Sequence, residues 1–174
     1  NDDAVTGLGK CYEELSESEN AKNYYKKALE INPNNKIAIN NLAAFELFNG
    51  NIYQAEKMYE TSIKNNENNY DAKYFLSLCQ LSQSNYIQGW LNFQYRWLAN
   101  NFKSTMLKTN LPKFQINSDR KNLLLWGEQG VGDQILFLRF LKDLVSHVDS
   151  LFIKIDKRIH PIVKRILPEI IFYD

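Results

Sequence analysis

The residues best suited to chemistry lie in a short glycine-rich stretch at 127–133, Gly-Glu-Gln-Gly-Val-Gly-Asp. The run Asn122–Trp126 precedes it and an aromatic and leucine-rich run follows it, which predicts a strand, a loop and a helix. Free backbone N–H groups at the start of such a helix, together with its dipole, favour anions. The sequence therefore predicts a phosphate-binding loop whose candidate residues are Glu128, Gly130, Val131 and Gly132, with glycines free to adopt positive φ.

This loop matches neither of the two common nucleotide fingerprints. Gly132 is followed by Asp133 and Gln134, so the third glycine of a dinucleotide-binding loop is absent. No Lys-Ser or Lys-Thr pair marks a triphosphate-binding loop. The carboxylate of Asp133 has a purely structural interpretation, as a helix cap that accepts the N–H groups of Ile135 or Leu136.

The segments around the loop alternate between strand and helix patterns. A helix is predicted at Asp133–Ser146, a strand at Ser150–Ile155, a helix at Arg158–Leu167 and a strand at Glu169–Tyr173. This order predicts a partial α/β unit at 122–174, a Rossmann-like parallel sheet with βαβαβ connectivity. Because the last strand ends at the final residue and three strands do not close a doubly wound sheet, we expect this unit to be truncated.

The first hundred residues repeat with a period of 34. Small residues align with small ones and aromatics with aromatics, as in Leu8, Leu42 and Leu76; Gly9, Ala43 and Ser77; Ala21, Ala55 and Gly89; Tyr25, Tyr59 and Phe93. Each unit is predicted to be a helix pair, and stacking of the pairs supplies a core that one pair lacks. The pattern resembles the tetratricopeptide repeat, which implies an α-helical solenoid of about three helix pairs at 1–99.

The same resemblance implies a binding groove lined by the first helix of each pair. The groove residues that it implies for a protein or peptide partner are Lys36, Asn40, Asn41, Lys73 and Tyr74. Asn41 matches one rung of the asparagine ladder of O-linked N-acetylglucosamine transferases, but Gly7 and Phe75 occupy the other rungs. The alternative is a solvated polar face whose asparagines serve turns and caps.

The third repeat ends differently from the first two. Its second helix, predicted at Asn85–Phe102, is crowded with aromatic residues, which favours a capping or domain-docking helix over a sugar-stacking platform. From residue 100 to 121 the helical period is lost. This range is predicted to be a linker packed across a neighbouring domain by Phe102, Leu111 and Phe114.

The overall composition excludes several classes of partner. With 21 Lys and Arg against 20 Asp and Glu, the net charge of +1 provides no field that draws nucleic acid or an anionic membrane. No apolar run reaches the roughly 18 residues of a membrane span. Cys11, Cys79, His147 and His160 lack metal-ligand spacing, so no metal site is expected. Both thiols are predicted to be buried and reduced, which favours a cytoplasmic location.

Three segments together resemble a bacterial family in which tetratricopeptide repeats precede a glycosyltransferase domain of the GT-B type. They are "GWLNFQYRW" at 89–97, "LPKF" at 111–114 and "LLLWGEQGVGDQILFLRFL" at 123–141. That domain is similar to the heptosyltransferases and, in architecture, to O-linked N-acetylglucosamine transferase.

In that family the Gly-Asp pair of the loop faces the cleft where acceptor and sugar donor meet. The resemblance therefore implies that Asp133 is a general base for an acceptor hydroxyl and that the loop belongs to the acceptor side. A nucleotide sugar is implied as a substrate of the complete protein, with no further cofactor. The donor-binding half would lie outside this segment, which alone is expected to be inactive. The alternative is a non-catalytic scaffold that binds other proteins through its repeats.

Overall fold

A computed structural model of the chain describes residues 1–114 and 122–173. The chain divides into two compact units, Asn1–Lys103 and Ser104–Asp174. The last seven residues of the predicted linker, and Asp174 at the end of the predicted last strand, lie outside the described residues. No helix within the described ranges has the length and apolar character needed to cross a membrane.

The first unit consists of three helix pairs at the predicted spacing. They are α1 (Asp2–Glu14) with α2 (Ser18–Ile31), α3 (Lys36–Phe48) with α4 (Ile52–Asn65), and α5 (Tyr70–Ser82) with α6 (Tyr86–Phe93). The predicted solenoid of helix pairs is therefore confirmed. The second helix of the third pair is shorter than predicted, because α6 ends at Phe93 and a 3₁₀ turn, Gln94–Leu98, replaces its last turns.

Small and aromatic residues form the core between successive helices. Tyr25 of α2 is buried with Ala38 and Leu42 of α3, and Tyr59 of α4 is buried with Ala72 and Leu76 of α5. Alanines at the remaining contact positions let the helices approach closely, so each ring fills the space between two pairs. One core prediction was wrong, because Cys79 is buried in this way whereas Cys11 is exposed on α1.

The turn within each helix pair uses one residue in the left-handed region, always at the same repeat position. These residues are Ser16 (φ 61°), Gly50 (φ 83°) and Ser84 (φ 61°). Glycine adopts this conformation without steric cost, whereas a residue with a Cβ atom is strained there.

We expect Ser16→Gly and Ser84→Gly each to raise the free energy of unfolding by about 0.5–1 kcal/mol, because each relieves a left-handed serine. Gly50→Ala should lower it by about 1 kcal/mol. Open space surrounds the position of a Cβ atom on Gly50, so only backbone strain contributes to that loss. Urea unfolding followed by helical circular dichroism measures all three variants, and equal effects of Gly50→Ala and Ser16→Gly would contradict the assignment.

Two tyrosines at one repeat position differ in the environment of their hydroxyl groups. The Tyr25 hydroxyl donates to a Glu13 carboxylate oxygen at 2.6 Å. The Tyr59 hydroxyl is buried and has no hydrogen-bond partner among the described residues. Burial raises the pKa of both side chains well above the usual value, and the Glu13 carboxylate adds to the rise at Tyr25.

Tyr25→Phe and Tyr59→Phe should therefore change stability in opposite directions. We expect Tyr25→Phe to lower the free energy of unfolding by about 1 kcal/mol through the lost hydrogen bond. Tyr59→Phe should leave it unchanged or raise it by up to about 1 kcal/mol, since it removes an unsatisfied buried hydroxyl. Urea unfolding of the two variants side by side provides the measurement, and a loss of stability in Tyr59→Phe would show that its hydroxyl has a partner.

The second unit contains a small three-stranded parallel sheet. Its strands are β1 (Asn122–Trp126), β2 (Ser150–Lys154) and β3 (Ile171–Phe172), in the spatial order β1-β2-β3. Leu124 of β1 lies opposite Phe152 of β2, which in turn lies opposite Ile171 of β3. The three parallel strands match the prediction, although β3 has only two residues.

Short helices connect these strands. Between β1 and β2 lie α7 (Val131–Phe137), a 3₁₀ turn and α8 (Leu141–Val145), in place of the single helix predicted there. Between β2 and β3 lie a 3₁₀ turn, Lys157–Ile159, and α9 (His160–Ile166). The core of the unit is apolar and comprises Leu138, Leu141, Leu151, Ile153 and Val163. This packing holds the loops after β1 and β2 in place.

Candidate functional site

The glycine-rich loop leaves β1 and enters α7 with ordinary backbone geometry. Gly130 is the N-cap residue with φ −57°, and Gly50 is the one described glycine with positive φ, so the glycines of the loop do not use that freedom. Asp133 lies inside α7 as its third residue, and its carboxylate is exposed. The interpretation of Asp133 as the helix cap was therefore wrong, although its negative charge in the first turn complements the helix dipole.

A side chain that the sequence did not single out holds this loop to its neighbour. Gln134 donates from Nε2 to the carbonyl of Gln129 at 2.8 Å, and its Oε1 accepts the backbone N–H of Asp156 at 2.9 Å. Its amide lies against Gly127, where a Cβ atom would come within 2.5 Å of the Gln134 side-chain carbon Cδ. One amide thus joins the loop after β1 to the loop after β2.

A cleft of about 480 Å³ lies at the carboxyl ends of β1 and β2. It is lined by Trp126, Gly127, Lys154, Ile155 and Asp156 together with the segment 105–108. Of the glycine-rich stretch, Gly127 contributes to the lining, whereas the predicted residues Glu128, Gly130, Val131, Gly132 and Asp133 lie outside it. The carboxyl ends of parallel strands are where open α/β sheets bind ligands.

The carboxylate of Asp156, which lines this cleft, forms an ion pair with Arg158. Asp156 accepts from Arg158 Nε at 2.9 Å and from Nη2 at 2.7 Å. Hydrogen bonds from the Arg158 side chain and backbone lower the pKa of Asp156 to about 2. This carboxylate therefore stays ionised above that pH and is unsuited to general acid chemistry near neutrality.

The predicted groove residues of the first unit fall into two groups. Asn40 belongs to an internal network, since its Oδ1 accepts Ser62 Oγ at 2.8 Å and its Nδ2 donates to Asn69 Oδ1 at 3.1 Å. Asn41 is half-buried beside Tyr25, whose pKa burial and Glu13 raise and Asn41 partly offsets. Lys36 is exposed at the start of α3.

Lys73 and Tyr74 lie in an aromatic cluster. The Lys73 ammonium lies 4.5 Å from the ring centroid of Tyr95 and 5.7 Å from that of Tyr70. The Tyr74 ring packs against Phe93 and Phe102, with centroids 5.9 and 5.5 Å apart. Both side chains are half-buried, so a bound partner would contact their edges. Phe102, which the sequence placed in the linker, is thus a packing residue of the first unit.

One signal for the Asn40 network was present in the repeat itself. Asn1, Asn35 and Asn69 are 34 residues apart, and each is the N-cap of the first helix of its pair. A recurring asparagine at that position indicates a structural role. Asn40 takes part in this role because its side-chain amide forms hydrogen bonds with that of Asn69. For metal ions, the described residues contain no cluster of three or more His, Cys, Asp or Glu side chains that could bind one.

Comparison with known proteins identifies the repeats. Two tetratricopeptide repeat family models match residues 3–35 and 24–57. "Uncharacterized protein ycf37" of Pyropia yezoensis is 40% identical over 62 residues, 36% of this chain and 35% of that protein. The chain thus spans about a third of the length of that curated relative.

One solved structure supports the helical-repeat fold of this chain. The Arabidopsis OM64 TPR domain matches 57% of this chain and 82% of its own chain, with a TM-score of 0.51 and 19% identity. The Sgt2 TPR domain from Aspergillus fumigatus matches 54% of this chain and 62% of its own, with a TM-score of 0.49 and 22% identity. The family models and the OM64 likeness lead to one conclusion. Residues 3–57 of this chain are tetratricopeptide repeats, and the N-terminal unit has the fold of a tetratricopeptide repeat domain.

Proposed function

We propose that the tetratricopeptide unit binds a segment of another polypeptide and that the chain acts as an interaction module. The observation that supports this function is the repeat array itself, because stacked helix pairs present an extended surface suited to peptides. The surface that we assign to the partner comprises Lys36, Asn41, Lys73 and Tyr74. Asn40 supports this surface, since its amide is already bonded to Ser62 and Asn69.

The properties of Lys73 and Asn41 define the partner chemistry. The Lys73 ammonium lies beside the stacked rings of Tyr70 and Tyr95, and its positive charge favours a carboxylate on the partner. The Asn41 amide both donates and accepts, which suits the backbone of an extended peptide. We therefore expect peptides that carry an acidic residue near an extended segment.

A displayed library of random peptides, screened against the whole chain, tests this function. We expect enriched acidic sequences whose affinity falls at least tenfold in Lys73→Ala and in Asn41→Ala. Lys57→Ala is the matched control, because the Lys57 ammonium lies 4.4 Å from the Tyr53 ring on α4, outside the proposed surface. No enriched sequence, or an equal loss of affinity in the control, would contradict the proposal.

A glycosyltransferase domain is a second candidate function, for the complete polypeptide. Parallel strands with a cleft at their carboxyl ends support a Rossmann-like unit. The sequence resemblance supports a sugar-transfer role in which Asp133, exposed on α7 outside the lining of that cleft, is the general base. Saturation-transfer NMR on the complete natural polypeptide with uridine, guanosine, adenosine and cytidine diphosphate sugars tests this role. Binding of one sugar nucleotide that persists in Asp133→Ala, with turnover lost, would support it, and no binding would contradict it.

A further inference from the structure

The turn between α3 and α4 contains the one Asn-Gly pair of the sequence, Asn49-Gly50. Both residues are exposed. At the same repeat positions the other two turns have Leu15-Ser16 and Gln83-Ser84. An asparagine amide is most open to attack by the next backbone nitrogen when glycine follows it, because glycine has no Cβ atom to hinder the approach. This turn therefore differs from its two counterparts in its chemistry.

Packing does not require a glycine at position 50. A Cβ atom on Gly50 would meet no atom within 4 Å, and its φ of 83° lies in the left-handed region that Ser16 and Ser84 occupy at 61°. A serine can therefore adopt this turn as it does in the other two, with the strain of a left-handed residue that has a Cβ atom. The reactivity of the Asn-Gly pair can thus be changed without changing the fold.

Hydrogen bonds hold the turn closed. The backbone N–H of Gly50 donates to the Leu47 carbonyl at 3.1 Å, and that of Asn51 donates to the Glu46 carbonyl at 2.8 Å. The Asn51 side chain also donates from Nδ2 to the Glu46 carboxylate at 2.6 Å. Asn49 has ψ 3°, which turns the Gly50 nitrogen away from the Asn49 side chain, whereas ring closure requires that nitrogen to eclipse Cβ about the Cα–C bond. Attack on the amide therefore requires the turn to open.

We propose that Asn49 is a site of spontaneous deamidation and isoaspartate formation, and that opening of the α3–α4 turn sets the rate. In the open turn the Gly50 nitrogen attacks Asn49 Cγ, the bond from Cγ to the side-chain nitrogen breaks, and ammonia leaves with the Gly50 proton. Water then opens the resulting succinimide ring at either carbonyl, which leaves aspartate or isoaspartate at position 49. The reaction needs no enzyme, oxidant or cofactor, and the site is separate from the proposed peptide surface.

Either product should weaken the second helix pair. Both place a new carboxylate at the C-terminal end of α3, where the helix dipole disfavours negative charge and where the carboxylate of Glu46 is already buried. Isoaspartate also adds a carbon atom to the main chain of the turn, so the hydrogen bond from the Asn51 N–H to the Glu46 carbonyl loses its geometry. Because the Lys22 ammonium of α2 lies 3.2 Å from Glu46, the disturbance also reaches the first helix pair.

Incubation of the whole chain at mildly alkaline pH tests the site, with peptide mass spectrometry that distinguishes aspartate from isoaspartate. We expect both products to accumulate at position 49 at least tenfold faster than at the Asn-Asn pairs, for example 34–35 and 65–66. Gly50→Ser should lower the rate at least tenfold and keep the helical circular dichroism, because serine occupies this position in the other two turns. The product, separated by ion exchange, should unfold at a lower urea concentration than the unmodified chain.

Two variants test whether opening of the turn sets the rate. Asn51→Ala removes the bond to the Glu46 carboxylate and should raise the rate at position 49 about two- to tenfold, the equivalent of one hydrogen bond. Thr61→Ala is the matched control, since the Thr61 hydroxyl donates to the Lys57 carbonyl at 2.8 Å within α4, away from the turn. This control should leave the rate unchanged.

Three results would overturn the proposal. A rate at position 49 no higher than at the Asn-Asn pairs would show that the site does not react in the folded chain. An undiminished rate in Gly50→Ser would show that the glycine does not activate Asn49. Equal rates in Asn51→Ala and the unchanged chain would show that opening of this turn does not set the rate.

Discussion

Asn69→Ala should lower the free energy of unfolding of the tetratricopeptide unit by about 2–4 kcal/mol. Asn69 Oδ1 accepts the backbone N–H of Ala72 at 3.2 Å and so caps α5, a contribution of about 1 kcal/mol. Its Nδ2 donates to Ser62 Oγ at 2.9 Å and to Asn40 Oδ1 at 3.2 Å. Loss of that amide removes the acceptor of the half-buried Asn40 Nδ2 and one partner of Ser62 Oγ, which keeps its bond to Asn40 Oδ1, and this costs about 1–3 kcal/mol more.

Asn1→Ala is the matched control for this prediction. Asn1 caps α1 at the same repeat position, with its Oδ1 accepting from Asp3 at 3.0 Å and Ala4 at 3.4 Å, but it is exposed. Its replacement should therefore cost only the cap, about 0.5–1 kcal/mol. Urea unfolding followed by helical circular dichroism compares the two variants. Equal losses would show that the network around Asn69 contributes nothing beyond capping.

The repeats could be predicted from the sequence because their signal is periodic and redundant. Tyr25 and Tyr59 were correctly predicted to lie in the core, since each lies within a spacing of small residues that recurs in the chain. The repeat pattern alone wrongly predicted that Cys11 is buried, because burial at its position depends on a helix that covers α1. Periodicity identifies which residues share a face, but not whether another helix covers that face.

Individual side-chain roles were harder to predict, since they depend on contacts between distant residues. Asn40 was predicted to face a partner, yet Ser62 and Asn69 lie 22 and 29 residues away and bind its amide. Glu46, at a position where the repeat pattern has tyrosine, is buried because Asn51 donates to it at 2.6 Å and the Lys22 ammonium lies 3.2 Å away. Polar residues on a helix face therefore need a tertiary contact map before they can be assigned to binding.

At the candidate site of the second unit, too, the roles that depend on contacts between distant residues were not predicted. The strand-loop-helix pattern placed β1 and the glycine-rich loop correctly, because a strand followed by glycines has a strong local signal. The cleft residues Lys154 and Asp156 were not predicted, since they follow a different strand and reach the site through parallel pairing. From the sequence, Gln134 was noted only as a residue that departs from the dinucleotide-binding pattern. In the structure its amide joins the loops after β1 and β2.

Gly127→Ala should break this connection and lower the stability of the second unit by about 2 kcal/mol. A Cβ atom at 127 would displace the Gln134 amide, and both of its hydrogen bonds, to the Gln129 carbonyl and from the Asp156 N–H, would be lost. Each such bond contributes about 0.5–1.5 kcal/mol. Hydrogen exchange should show faster exchange of the Asp156 amide, and the cleft beside it should lose its fixed shape.

Two further variants test whether the loss of stability comes from the Gln134 contact or from any substitution in this loop. Gln134→Ala should have nearly the same effect as Gly127→Ala, and the double variant should be little worse than either, because both remove one shared contact. Gly132→Ala is the matched control, since a Cβ there meets no atom within 4 Å and lies inside α7. It should leave exchange at Asp156 unchanged and stabilise α7 slightly, as alanine does in helix interiors. Additive losses in the double variant would show that Gly127 acts on the loop independently of Gln134.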